Sequence, residues 1–338
     1  MARRRKKGRP VSGWLILDKA CDVGSTEAVS KAKWLFKAQK AGHAGTLDPL
    51  ATGVLPIAFG EATKTASYVM DAEKRYRFMV KWGASTTTDD AEGEVIATSH
   101  KRPSVQEVEG VLDRFIGEIS QVPPQFSAVK VGGERAYDIA REGERVNLEP
   151  RTVVIHSLSI IDAPSGDETV LEAITGKGAY VRALVRDIAH ALGAEAHVSA
   201  LRRLAVGPFR AEDGVTLEQL EDISLIEDRD AVLLPIADAL WRLPQAAIDG
   251  PQADKLRRGQ AAVLAPPIAK GVRGERAGVV PAVLAVLHDE AVAICELDGL
   301  KLKPTRVFNL KGAAGRKTAS GGSFTRDLSA YPDEGFES

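Results

Sequence analysis

Apolar positions along this chain follow two rhythms, and the switches between them mark its elements. Gly13–Asp18 is apolar almost throughout and reads as a short strand ending at a Lys–Asp-rich turn. From Glu27 to Lys40 the period lengthens. Ala28, Val29, Ala32, Leu35 and Phe36 recur at helical spacing, and Lys31, Lys33, Lys37 and Lys40 decorate much of the remainder. Lys74–Gly83 alternates as a half-buried strand does. A polar loop from Thr86 to Gly93 follows, and Glu94–Thr98 resumes an extended pattern. Val108, Val111, Leu112 and Phe115 give Val105–Phe115 a helical face. The adjacent prolines of Gln121–Lys130 predict a rigid, nonhelical approach to another strand. Ala136–Arg141 reads as a short helix, and Val153–Ile161 and Thr169–Thr175 as strands.

Further on, Gly176–Lys177–Gly178 leads into a helix whose Val181, Val185, Ile188, Ala189 and Leu192 form one apolar stripe. Tyr180 and Arg182 stand at its start, where side chains can face a cleft while the later turns are buried. Leu201–Phe209 is strand-like and Thr216–Leu220 begins a short helix. The boundary to a second domain is expected between Arg229 and Ala247. Beyond it, Leu256–Gln260, Val279–Leu287, Ala291–Leu297 and Pro304–Phe308 alternate apolar elements with turns and predict a small β-rich module. Gly312–Ser338 is polar and Gly-rich, a composition that favours a flexible tail. The part before the boundary reads as mixed α/β or α+β, with no Gly-rich dinucleotide or phosphate-loop fingerprint.

Among these elements lies GHAGTLDPLATGVLPIAFGEATK, Gly42–Lys64, rich in residues that position backbone rather than build helices. Asp48 precedes Pro49, which biases its main chain toward extended conformations and limits its orientations. Asp48 is therefore the candidate reactive group, although an aspartate before proline also commonly closes a turn. His43 offers a hydrogen bond or a stacking surface beside it. Arg182 is a candidate partner for its carboxylate, and Tyr76 or Tyr180 is suited to cover a planar ring.

Charge changes this picture more than overall composition does. The chain has 338 residues, 44% hydrophobic and 27% charged, as soluble globular proteins do, with a formal net charge of -1. Yet Arg3, Arg4, Arg5, Lys6, Lys7 and Arg9 crowd the first nine positions, while acids accumulate over Glu212–Asp238. Such unevenness is compatible with a polyanionic partner and argues against a uniformly basic architectural protein. Cys21 and Cys295 are too few and too distant to suggest a disulfide framework. Trp14–Leu17 is too short for a signal core, and no run reaches membrane-spanning length, so a cytoplasmic protein is expected. The six histidines are scattered without a cysteine pair, and a Gly-x-Ser-x-Gly elbow is missing. The expected site is thus metal-free, with no cofactor and a carboxylate as nucleophile or base.

The Asp48 stretch closely resembles the catalytic segment of the bacterial tRNA pseudouridine-55 synthase family. The resemblance recurs in order through GWLILDK at 13–19, YRFMVKWG at 76–83, TTTDDAEGEV at 86–95, QVPPQFSAVKVGGERAYDIAREG at 121–143, GKGAYVRALVRDIA at 176–189 and LRRLAVGPF at 201–209. It covers residues 10–210 strongly. LRRGQ at 256–260 and LKPTRVF at 302–308 match the family's small RNA-binding module more loosely.

This resemblance implies an α+β protein: a mixed, largely antiparallel catalytic sheet with surrounding helices over residues 10–235, plus a small β-rich RNA-binding module over 240–310. Residues 1–9 and 312–338 would be flexible tails. It implies isomerisation of uridine 55 in the T loop of tRNA, with the T arm as partner, neither DNA nor membrane, and a monomer. By motif position Asp48 is the catalytic aspartate. Tyr76 stacks on the base, Arg182 pairs with the aspartate, Tyr180 lines the base pocket, and Leu201 lies beneath the base. His43 is associated with the rearranged T loop, and Lys19 and its turn match a further family feature grouped with RNA recognition. Lys31, Lys33, Lys37, Lys130, Arg202 and Arg203 are expected to contact the RNA backbone. Two departures stand out: Ala20 replaces the usual proline, and Asp22 the common glycine.

Chemistry agrees with these roles. The base must detach from ribose, rotate while retained and reattach through C5, with no redox step or energy donor. An aromatic cover and a preorganised carboxylate suit that sequence. Attack by Asp48 on C1′, attack on C6 and a glycal route all remain open at this point. A tRNA-binding or folding protein without catalysis is the main rival, and an enzyme acting on a free metabolite is a more remote one.

Overall fold

The computed structural model describes residues 8–127, 130–131, 134–135 and 147–310, with backbone alone at 130–131 and 134–135. The expected helix at Ala136–Arg141 and most of both tails lie outside the described residues.

In chain order the elements are β1 (Gly13–Lys19), α1 (Ser25–Leu35), β2 (Ala41–His43), β3 (Thr52–Phe59), α2 (Ala66–Met70), β4 (Lys74–Trp82), β5 (Ala84–Thr86), β6 (Val95–Thr98), α3 (Val105–Leu112) and β7 (Gly117–Gln121). They continue with β8 (Lys130–Val131), β9 (Glu134–Arg135), β10 (Arg151–Ser165), β11 (Glu168–Thr175), α4 (Val181–Ala191), β12 (Ala196–Val206), β13 (Phe209–Arg210), α5 (Leu217–Asp222) and α6 (Ile226–Ala231). The last group is β14 (Gln245–Ala247), α7 (Gly250–Arg257), β15 (Ala262–Val263), α8 (Pro266–Arg273), β16 (Val280–Leu287), β17 (Glu290–Asp298) and β18 (Lys301–Val307).

The main sheet runs β1-β3-β12-β4-β11-β10-β7, with β2 added to β3 and β13 to β12. Its pairings are antiparallel except the short parallel contact between β3 and β12, where Arg202 meets Thr52 and Arg203 meets Gly53. Alternation explains both faces. Leu15 and Leu17 of β1, Leu55, Ile57 and Phe59 of β3, and Phe78, Val80 and Trp82 of β4 enter one core beneath the helices. The predicted stripe of α4 packs there, with Leu192 just beyond the helix. Trp14, Ile16, Val54 and Ala58 face the opposite way. They share a second core with Leu284, Val286, Ala291, Ile294 and Phe308 of the C-terminal sheet. That sheet has the order β14-β16-β17-β18-β15 and a third apolar core of its own. The architecture is α+β, a largely antiparallel sheet with flanking helices followed by a smaller β-rich unit.

Several elements differ from the pattern's expectation for local reasons. The helix expected to reach Lys40 ends at Leu35. Lys37 takes φ 48° and donates its N–H to the Trp34 carbonyl, while Ala38 donates to Lys33, a Schellman closure. Leu256, read as part of a β-rich run, lies in α7. That helix is started by Asp249, whose carboxylate accepts from the Gln252 N–H. The strand expected at Leu201 begins at Ala196. β3 is masked in the pattern by Pro56, which sits opposite Ile16 of β1 and whose carbonyl accepts from the Ala44 N–H.

Candidate active site

Asp48 lies on the loop joining β2 to β3, and that loop is held by side chains from three directions. Ser25, opening α1, both donates to the Leu47 carbonyl (2.7 Å) and accepts from the Leu47 N–H (2.9 Å). Lys19, at the end of β1 and 1% exposed, donates to the carbonyls of Ala20 (2.8 Å), Val23 (2.8 Å) and Pro49 (3.0 Å). Burial lowers its pKa, against the opposing pull of Cys21 and Asp48. Arg203, also 1% exposed, donates to the Val54 (2.7 Å), Thr46 (3.2 Å) and Gly45 (3.1 Å) carbonyls. Lys19 and Arg203, both expected among the RNA contacts, have their side chains buried against these carbonyls. Both cations face inward and hold the loop's backbone, because carbonyls at the loop's turns need donors that the short parallel pairing cannot supply.

The carboxylate itself meets Arg182. Arg182 Nη2 lies 2.8 Å from Asp48 Oδ2, with the guanidinium side chain 5% exposed and the carboxylate side chain 37% exposed. Arg182 also reaches Asp90 (3.3 Å) and donates to the carbonyls of Thr88 and Phe126, each at 2.9 Å. A buried charge so surrounded has its hydrogen-bonding capacity engaged and its orientation specified. Asp48 is thereby left with one side toward solvent, the disposition a reacting group requires. Asp90 accepts from Thr88 Oγ1 and from the Glu92 N–H, which ties the Thr86–Gly93 loop to the same centre.

Tyr180 caps the start of α4. Its N–H donates to Gln121 Oε1 (2.8 Å) and its carbonyl accepts from Gln121 Nε2 (3.2 Å). Burial pushes the Tyr180 phenol above its ordinary pKa, and the charge of Asp48 adds to this. The phenol thus stays protonated at neutral pH and can donate. Tyr76 is half-buried on β4, opposite Arg203 of β12 and Ala173 of β11. Gly53, Arg203 and Tyr76 form one row across three strands, immediately after the Asp48 loop. Leu201, 7% exposed, pairs with Phe78 and shares the core against which Tyr76 packs. His43 is half-buried on β2 opposite Ile57.

Of the remaining expected RNA contacts, Arg202 makes a two-pronged pair with Asp18 at 3.0 and 2.8 Å. Lys31 pairs with Glu221 and lies 5.4 Å from the Trp34 ring. The Lys130 side chain lies outside the described residues. Asp90, Ser25 and Gln121 had no role in the sequence reading. The doubled aspartate in TTTDDAEGEV was the available signal for Asp90. Asp22, in place of glycine, stands at φ 60°, a region aspartate tolerates better than most residues. Among the described residues no three metal-ligating side chains converge, and no helix is long and apolar enough to cross a membrane.

A loop aspartate between two strands of the main sheet, paired with an inward arginine, fits the pseudouridylate synthase class, and comparison with known proteins agrees. The model of the TruB family pseudouridylate synthase N-terminal domain matches residues 33–181, and that of the tRNA pseudouridylate synthase B C-terminal domain matches 182–240. The tRNA pseudouridine synthase B of Caulobacter vibrioides is 50% identical over 307 residues, covering 91% of this chain and 99% of that protein. That of Agrobacterium fabrum is 50% identical over 312 residues, covering 90% and 97%. A solved Cbf5-Nop10-Gar1 complex contains a chain with TM-score 0.66 and 26% identity, covering 88% of this chain and 85% of its own. The chain belongs to the TruB family of tRNA pseudouridine synthases. It is an enzyme that isomerises a uridine of tRNA after the base is turned out of its stack.

Proposed function

We propose that the enzyme acts on uridine 55 in the T loop of tRNA, with Asp48 as the reacting carboxylate. The observation that carries this reading is the Arg182–Asp48 pair, in which the guanidinium is buried and the carboxylate faces outward. Arg182 orients Asp48 toward the everted nucleotide, and the fixed loop removes the need to organise it during the reaction. Tyr76 covers the uracil ring, Tyr180 lines its pocket as a hydroxyl donor and Leu201 forms the apolar floor. Together they retain the detached base while it rotates. His43 meets the rearranged loop. Arg202 and the α1 lysines supply backbone contacts, which position RNA without reading its sequence. Unstacking the uridine costs about 3 kcal/mol, offset in part by these aromatic contacts.

In the same reading, residues 10–235 form the catalytic domain and 240–310 an RNA-binding module, the enzyme works as a cytoplasmic monomer, and no cofactor is needed because the isomerisation is redox-neutral.

The test is incubation with unmodified tRNA and mass-sensitive detection of pseudouridine, with its position mapped. Asp48→Asn is expected to abolish product and retain tRNA affinity. Equal product formation by that variant refutes the assigned role, and product mapped elsewhere in the tRNA refutes the T-loop target.

A further inference from the structure

A second concavity lies away from Asp48, where the catalytic sheet meets the C-terminal unit. Its volume is about 350 Å³. One wall is α2 and the turn after it, through Tyr68, Asp71 and Ala72; the other comes from Leu240 to Leu243, and Arg306 of β18 reaches its edge. Trp241 is 37% exposed, and its ring edge rests over Gly207, where an added Cβ would come within 2.6 Å of it. The indole is therefore seated rather than loosely displayed. The Arg242 guanidinium lies 5.2 Å from that ring's centroid and 3.2 Å from Glu73, with its side chain 59% exposed. Arg306 is exposed and donates to the Lys64 carbonyl. Asp71, the acidic residue of the lining, is engaged by Lys177 at 2.6 Å.

A seated indole, a phenol, an apolar floor and two guanidinium groups are the chemistry that holds one nucleotide, base stacked and phosphate paired. The volume is at the small end of ligand sites, which suits a single nucleotide better than a large cofactor. We propose that this concavity is a second nucleotide subsite for the substrate tRNA, separate from the uridine cleft. The proposal rests on tRNA being the substrate. Tyr68 and Trp241 stack one base, and Arg242 and Arg306 take its phosphate.

The test compares wild type with Arg242→Ala/Arg306→Ala, two exposed positions, and with Glu73→Gln as a control for the lost pair. The double variant is expected to bind tRNA roughly tenfold more weakly near physiological salt, with the log–log salt slope reduced by about 2, one for each phosphate contact. Pseudouridine formation at saturating tRNA is expected to keep its wild-type single-turnover rate. Trp241→Phe should remove a tRNA-dependent quenching of intrinsic fluorescence. Unchanged affinity and salt slope overturn the proposal. So does quenching by uridine 5′-monophosphate that the double variant loses while its tRNA affinity stays unchanged, which assigns the concavity to a free nucleotide. Failure of the parent reading looks different: no pseudouridine with wild-type enzyme, while the double variant still weakens tRNA binding.

Discussion

The Asp48 loop rests on buried groups and the C-terminal sheet closes over a buried core, yet opposite forces hold them. Val283, Ala285, Ala293, Cys295, Leu297 and Leu302 pack side by side in the sheet with no charged group among them. Around Asp48, the buried partners are Lys19, Arg182, Arg203 and Asp90, each at 5% exposure or less. Apolar burial is non-directional and tolerates small shifts, so it secures a fold without specifying an orientation. Charged hydrogen bonds in a low-dielectric interior are costly to desolvate but demand defined angles. The molecule uses directional contacts where a carboxylate must be aimed, and apolar ones where a module need only persist.

The largest expected effect in this comparison is at Gly53. It takes φ +94°, and an added Cβ would lie 2.2 Å from the Arg203 carbonyl oxygen, so neither strand can relax without losing the row that carries Tyr76. Gly53→Ala should destabilise the protein by about 4 kcal/mol or abolish folding, read by urea denaturation. Near-wild-type stability would show that the row is softer than its geometry indicates.

Next come paired variants, one from each region. Leu297→Ala should lose about 3 kcal/mol of stability and leave the single-turnover rate of the folded enzyme unchanged. Lys19→Met leaves three carbonyls without their donor, and should lose about 2 kcal/mol while slowing that rate roughly tenfold. Equal rates for the two folded variants would mean that the clamp stabilises the loop without aiming Asp48.

A smaller effect is read by pH. Lys74, 8% exposed, donates to the Met70 and Ala72 carbonyls, and burial, with Arg203 adding repulsion, lowers its pKa to about 8 from 10.5. Below about 8 the ammonium is charged in folded and unfolded chains alike, and its burial opposes folding. Between about 8 and 10.5 the unfolded chain holds the proton that the folded chain has released, so this group's contribution to stability rises with pH. Lys74→Met should flatten that rise in denaturation series across the window; an unaltered slope would assign the rise to other groups. The smallest expected effect is at Asp22, where Asp22→Gly relieves φ 60° at some entropic cost. A net gain of about 0.5 kcal/mol in thermal denaturation is expected, and a loss would show that its carboxylate contributes to the turn.

Much of the framework was legible along the chain. Period-two and period-3.6 patterns depend on neighbouring residues only, so β1, β4, α3 and the buried stripe of α4 could be read before any contact was known. Asp48 and Arg182 stood out as a possible pair on chemical grounds, but 134 positions separate them and only folding brings them to 2.8 Å. β3 escaped notice because Pro56 removes a donor that most sheet positions need, while here Ala44 takes up its carbonyl instead.

Adjacent Arg202 and Arg203 show where local pattern stops. As a sequence they are equivalent cations on a strand. In the fold, alternation turns Arg202 to Asp18 at a partly exposed edge and Arg203 into a nest of carbonyls from Gly45, Thr46 and Val54. The sequence by itself determined the elements and their apolar faces, and it singled out Asp48 as the candidate acid. Only tertiary structure decided which cations would be desolvated around it, because the carbonyls that make such burial tolerable arrive from distant parts of the chain.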